Sequence, residues 1–149
     1  MRRNLLLIIF VLVLVITSCI KPLEDRITGN WKLTESFRRG FFDRDYFQTG
    51  YESGIFSFHE GGSATYISNT DTLTGSWKVR RYSDNYYNSS SGQWESRQLK
   101  SLRITLVNFS QNRFVDWFFD DFNFRNNSHR IKAEEFVPGG DRVYEFEKR

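Results

Sequence analysis

Apolar residues alternate with polar ones along this chain from about residue 31 onward. Successive side chains of a strand point to opposite faces, so this period of two marks strands with one buried face. Trp31, Leu33 and Phe37 share one parity, while Lys32, Thr34 and Ser36 take the other. Phe56 and Phe58 lead into Glu60, Gly61 and Gly62, a hairpin signal, and Ala64 and Tyr66 follow on the return. Leu73, Trp77 and Val79 alternate with Thr74, Ser76, Lys78 and Arg80; Leu102, Ile104 and Leu106 alternate with Ser101, Arg103 and Thr105. There the phase shifts to Val107 and Phe109, which predicts a bulge. Phe114 to Phe119 is apolar on both parities apart from Asp116, which predicts a strand covered on both faces. Phe122 and Phe124, His129 to Phe136, and Val143 to Lys148 complete eight or nine strands. No stretch keeps a helical period, so the expected fold is all-β: an antiparallel up-and-down meander of about eight strands, closed into a barrel that removes the sheet edges.

A different pattern precedes the strands. Leu5 to Ile16 is an unbroken run of 12 apolar residues behind Arg2 and Arg3. As a helix it would span about 18 Å, short of the roughly 30 Å hydrocarbon core of a bilayer, and it reads instead as a signal-peptide core. The next residues, Ile16, Thr17, Ser18 and Cys19, resemble the lipobox of bacterial lipoproteins. That resemblance implies cleavage after Ser18, acylation of Cys19 with palmitate-type chains, and anchoring to the outer membrane of a Gram-negative cell envelope, on its periplasmic or its surface face. More than one acyl chain, at about 0.8 kcal/mol per buried CH₂, makes such an anchor effectively permanent. The expected organisation is a signal peptide over 1–18, a lipidated tether over 19–26 and one domain over 27–149.

Composition removes several classes. The 26 aromatic residues, 17% of the chain, are too many for a disordered protein, and one cysteine makes neither an intramolecular disulfide nor a thiolate zinc site. Removing residues 1–18 takes Arg2 and Arg3 and lowers the net charge from +3 to +1. No dense Lys/Arg stripe is left for phosphate, so nucleic acid is not an expected partner. No cofactor or metal is expected. His59 and His129 accompany no nucleophile signature, and the pairs Asp43/Asp45, Asp120/Asp121 and Glu134/Glu135 read as solvated turns and outer faces, so no enzyme activity is expected.

Thr28-Gly29-Asn30-Trp31-Lys32-Leu33 is echoed by Thr74-Gly75-Ser76-Trp77-Lys78-Val79, identical at four of six positions. Nothing outside the six repeats, so the echo reads as two strands that begin alike, each with a glycine for close approach and an inward Trp. Gly29-Asn30-Trp31 resembles the Gly-x-Trp signature of lipocalins. The whole order, adding Phe56-Ser57-Phe58, Gly61-Gly62, Gly75-Ser76-Trp77 and the closing Tyr144 to Lys148, resembles the lipocalin-like (calycin) domains of bacterial lipoproteins. The resemblance implies a basic residue, Lys148 or Arg149, packed over Trp31, and an interior that takes a small apolar molecule; a filled core is the alternative. The inward set is Trp31, Leu33, Phe56, Phe58, Tyr66, Trp77, Val79, Leu102, Ile104, Tyr144 and Phe146, and all of these but Leu33 and Val79 are the cavity candidates.

Tyr82 to Gln98 mixes Tyr82, Tyr86, Tyr87 and Trp94 with Asn, Ser and Gly, the composition of binding loops, and reads as a long loop between strands. Two functions follow: a lipid-anchored envelope protein whose barrel holds a small hydrophobic ligand, or an envelope interaction module that binds a protein or glycan through loop 82–98 over a packed barrel.

Overall fold

The computed structural model describes residues 22–40 and 42–149; the signal segment 1–18, the cleavage point at Ser18 and Cys19 lie outside the described residues. One short helix, α1 (Leu23–Ile27), precedes β1 (Gly29–Arg39), β2 (Arg44–Tyr46), β3 (Ile55–Phe58), β4 (Ser63–Ile67), β5 (Thr72–Asn88), β6 (Gln93–Asn108), β7 (Arg113–Phe119), β8 (Asp121–Arg125), β9 (Arg130–Glu135) and β10 (Arg142–Lys148). They form one antiparallel sheet in the order β7-β6-β5-β4-β3-β1-β10-β9-β8, with β2 added on β1. The all-β antiparallel class follows from the alternation. Among the described residues the strands number ten, however, and the hydrogen-bonded path ends at β7 and β8, where a closed eight-stranded barrel has no ends.

The sheet curls so that its inner face meets itself. Trp117 and Phe119 of β7 pack on Tyr144 of β10 with ring centroids 5.5 and 5.0 Å apart. Trp31, Leu33, Phe56, Phe58, Tyr66, Leu73, Leu102, Ile104 and Leu106 fill the same core. The two Gly-x-Trp units explain themselves here. Gly29 adopts φ +126°, which favours glycine, and a Cβ on Gly75 would stand 2.0 Å from the Thr105 carbonyl oxygen, so β6 could not approach. Each tryptophan that follows is anchored by a backbone acceptor: Trp31 Nε1 donates to the Ile27 carbonyl at 2.6 Å, and Trp77 Nε1 to the His59 carbonyl at 3.0 Å. The Lys148 ammonium lies 5.3 Å from the Trp31 ring centroid, in the place expected of a terminal basic residue, while Arg149 reaches Glu147.

Four local expectations are corrected. The segment through Arg26, read as tether, contains α1, whose Leu23 and Ile27 are buried in the core; only Ile20 and Lys21 separate Cys19 from Pro22. Phe37 does not share the face of Trp31 and Leu33, because a register shift between Leu33 and Glu35 turns Ser36 inward opposite Tyr144 and leaves Phe37 against Tyr46 and the Arg44 guanidinium. No bulge falls at Val107: β6 stays in register with β5 and β7 to the end of the strand, and Phe109 begins an exposed 3-10 turn. In β7 only Val115, Trp117 and Phe119 turn inward, while Phe114 and Phe118 are exposed, so one face is covered and not two.

Candidate functional site

The eleven inward candidates all contribute to the core, and the aromatic ones stand ring against ring. Phe56 touches Tyr66 at 4.8 Å, Trp117 at 5.6 Å, Phe146 at 5.9 Å and Phe58 at 6.4 Å between centroids. Such spacings are those of packed aromatic pairs. Val79 is half-buried at the margin; the remaining ten are buried. A cavity of about 690 Å³ opens elsewhere, between α1, the β3–β4 turn and β5. Of the cavity candidates only Trp77 lines it, joined by Val79 of the inward set and by Glu24, Asp25, Glu60 and Lys78. A smaller space of about 180 Å³ lies beside Trp117, Phe119, Tyr144, Glu135 and Arg142. There the Tyr144 hydroxyl donates to Glu135 Oε2 at 3.3 Å; burial, with the Glu135 charge behind it, pushes Tyr144 up to about 12.

The segment read as a loop over Tyr82 to Gln98 is a β-ribbon. β5 and β6 stay paired from Thr74↔Val107 to Asn88↔Gln93, and a four-residue turn joins them through Gly92 at φ +68°. The ribbon leaves the rest of the sheet early: β4 pairs β5 only as far as Ser76, and β7 pairs β6 only as far as Leu102. Its base is held by the Tyr82 hydroxyl, which donates to the Asp120 carbonyl at 2.9 Å, by buried Leu99 opposite Tyr82, and by the Arg97 guanidinium over the Phe136 ring. Beyond that it has two strands and two faces.

One face carries the charges. Arg97 Nη2 meets Asp84 Oδ2 at 2.8 Å and the guanidinium lies 5.3 Å from the Tyr86 ring centroid. The Tyr86 hydroxyl donates to Glu95 Oε2 at 2.9 Å, and Asn88 Nδ2 and Ser91 Oγ donate to Glu95 Oε1 at 2.7 and 2.8 Å. Those donors, Ser91 foremost, hold the Glu95 carboxyl below its ordinary range, and the same bond raises Tyr86. The opposite face carries Ser83, Asn85 and Tyr87 across from Gln98, Ser96 and Trp94. Tyr87 and Trp94 are 55% and 73% exposed and touch edge to face, centroids 5.8 Å apart.

The four loop candidates therefore divide. The ladder brings Tyr87 and Trp94 together, places Tyr86 on the charged face and uses Tyr82 to hold the base. Asp84, Glu95, Arg97, Asn85 and Ser96 were missed. Their signal is a mirrored polar alternation about Asn88 to Gly92, which a search for buried faces passes over. Two of the carboxylate pairs are tied into the fold: Asp120 Oδ2 accepts from the Phe136 N–H, Asp121 Oδ1 from the Lys100 N–H, and Glu134 and Glu135 meet Lys132, Arg39 and Arg142. His129 Nδ1 stands 3.1 Å from the Asn126 carbonyl oxygen. Among the described residues no group of His, Cys, Asp or Glu could hold a metal ion, and no helix is long and apolar enough to cross a membrane. No family model, curated protein or solved structure matches this chain.

Proposed function

We propose that this chain is a lipid-anchored envelope protein that binds a partner through the β5–β6 ribbon, on a packed lipocalin-like barrel that serves as scaffold. The observation that carries the reading is the Tyr87/Trp94 pair: two large rings held in the open by a regular ladder, on a body whose other aromatic rings are mostly packed inward. Exposed aromatics on a rigid frame give contact area at low entropic cost.

In that barrel β7 and β8 act as one strand that changes partner. Asp120 alone separates them, β7 pairs with β6 and β8 with β9, and the Asp120 N–H donates to the Glu134 carbonyl at 2.8 Å, extending the β8–β9 ladder toward β7. Across the junction the Lys100 N–H donates to Asp121 Oδ1 at 3.1 Å, and Lys100 Nζ to Asn123 Oδ1 at 3.0 Å. Side-chain bonds thus stand where a β6–β8 ladder would be. In this reading the shared strand stands in for the ladder that would close the barrel.

Anchoring rests on Ile16 to Cys19 behind the apolar run. With two residues between Cys19 and Pro22, the chain can lift the domain no more than about 10 Å from the membrane surface. A second reading keeps the small hydrophobic ligand and moves it to the 690 Å³ rim cavity, where Trp77 and Val79 supply apolar surface within the size range of ligand pockets.

The test uses the full chain expressed with its signal segment. Mass spectrometry of the membrane-extracted protein should find Cys19 as an acylated N-terminus, and Cys19→Ala should move the protein out of the membrane fraction. With Cys19→Ala removing the anchor, purified envelope should co-sediment with the protein that keeps the natural ribbon and not with one that also carries Tyr87→Ala/Trp94→Ala. Unchanged fractionation would refute the anchor, and unchanged co-sedimentation would refute the ribbon.

A further inference from the structure

We infer that the Tyr87/Trp94 face of the ribbon is a binding site for a neutral carbohydrate chain; the inference rests on the reading of the ribbon as the binding surface and names the class of partner. The face is uncharged. Its six side chains are Ser83, Asn85, Tyr87, Trp94, Ser96 and Gln98, while Asp84, Glu95 and Arg97 all project from the opposite side. Charge returns only at Arg81 and Lys100, and the Lys100 ammonium is taken up by Asn123.

Four alternatives are disfavoured by the same residues. Nucleic acid and anionic lipid headgroups are held by Lys and Arg, which this face lacks. Insertion into a bilayer would bury the amides and hydroxyls beside the rings, which costs free energy unless each finds a hydrogen bond. A protein interface of standard size covers about 800 Å² per partner. From the Ser83/Gln98 pair to the Tyr87/Trp94 pair is four residues, about 13 Å, and the face is two strands wide, so it offers on the order of 150 Å². That is the footprint of a short oligosaccharide.

What remains is what a sugar ring needs. A pyranose presents C–H groups on one face, which stack on an aromatic ring, and hydroxyls around its rim, which both donate and accept. Trp94 and Tyr87 supply rings inclined at 66°, suited to consecutive sugars that turn relative to one another. Asn85 and Ser96, one pair along the ladder, make no side-chain hydrogen bond among the described residues, so an amide and a hydroxyl stand ready beside the rings. The back face makes the platform stiff. Glu95 ties Tyr86, Asn88 and Ser91 across the ribbon, and Arg97 ties Asp84, so the rings lose little freedom on binding.

The experiment takes the full chain, extracted from membranes in mild detergent, and measures its affinity for neutral glucan, mannan and galactan oligosaccharides of increasing length. One series should bind, more tightly with length until the face is filled. Trp94→Ala and Tyr87→Ala should each weaken it at least tenfold, Asn85→Ala by less, and Tyr46→Ala, an exposed ring on β2, not at all. Circular dichroism checks that each variant is folded. Binding to no neutral series, or binding that survives Trp94→Ala, overturns the inference, as does Trp94-dependent binding to vesicles of anionic phospholipid. If envelope co-sedimentation depends on Trp94 while no sugar binds, the partner class is wrong and the ribbon stands. If co-sedimentation ignores Trp94, both fall.

Discussion

The two halves of the β5–β6 hairpin share one ladder and differ in nearly everything else. Over Leu73 to Val79 and Leu102 to Leu106 the inward side chains are apolar, β4 flanks β5 as far as Ser76 and β7 flanks β6, and Gly75 lets the Thr105 backbone approach. Over Ser83 to Asn88 and Gln93 to Gln98 no third strand pairs, and the large rings Tyr87 and Trp94 face outward. In the first half the strands are held by burial of apolar surface, which is the dominant stabilising term. In the second they are held by the backbone ladder and by the side-chain network around Glu95 and Arg97. An isolated two-stranded ribbon is marginal in water. Here it is the continuation of two strands already fixed in the body, so its register and twist are set before its first unburied pair.

The largest effect expected from this difference is on stability. Trp31→Ala or Phe56→Ala should each destabilise the protein by about 3–5 kcal/mol, as large core truncations do, whereas Trp94→Ala should fall within about 0.5 kcal/mol of the natural chain. Denaturant unfolding of the three variants measures it. A Trp94 variant that costs as much as the core variants would mean that the ribbon is part of the cooperative core and that the two halves do not differ as described.

A smaller effect separates the halves at the two ends of the pH scale. Tyr144 in the body has its ionisation raised to about 12, above the ordinary value of 10. A group raised in the folded state contributes stability that is whole below pH 10 and is lost as the pH climbs toward 12, here roughly 2–3 kcal/mol. Tyr144→Phe should remove that alkaline loss from a plot of unfolding free energy against pH. Glu95 in the ribbon is shifted the other way, so what it holds together is intact above pH 4.5 and is lost as acid protonates it. Near-ultraviolet circular dichroism of the Tyr87/Trp94 pair should fade at that end while the core signal persists, and Glu95→Gln should lose this acid response. Simultaneous loss of both signals would place Tyr87 and Trp94 in the same cooperative unit as the core.

How far the sequence could be read follows the same division. The strands of the body were legible because burial imposes a period of two, and Trp31, Phe56, Phe58, Trp77, Ile104, Tyr144 and Phe146 all lie where that period puts them. The Leu33/Glu35 register shift was not, since Phe37 keeps the parity of Leu33 in the chain and loses it only in pairing with β10. In sequence the ribbon reads as a loop because it buries neither face and so leaves no apolar alternation. Its pattern is instead polar against polar, with Asp84 opposite Arg97 and Tyr86 opposite Glu95, and such pairing shows only once the two strands are laid side by side. The helix α1 is five residues long, too short to establish a helical period. Its role in the core depends on Leu23 and Ile27 meeting residues far along the chain.

The claim at the centre of this account is that the body folds by its own core and the ribbon only presents the binding face. Replacing Ser83 to Gln98 by Asn-Gly would leave Tyr82 and Leu99 joined by a two-residue turn of the kind that matches strand twist. The shortened protein should melt within a few degrees of the natural chain, still reach the membrane fraction and, once Cys19→Ala removes its anchor, no longer co-sediment with purified envelope. A shortened protein that fails to fold, or one that folds and still binds envelope without its anchor, would contradict the claim.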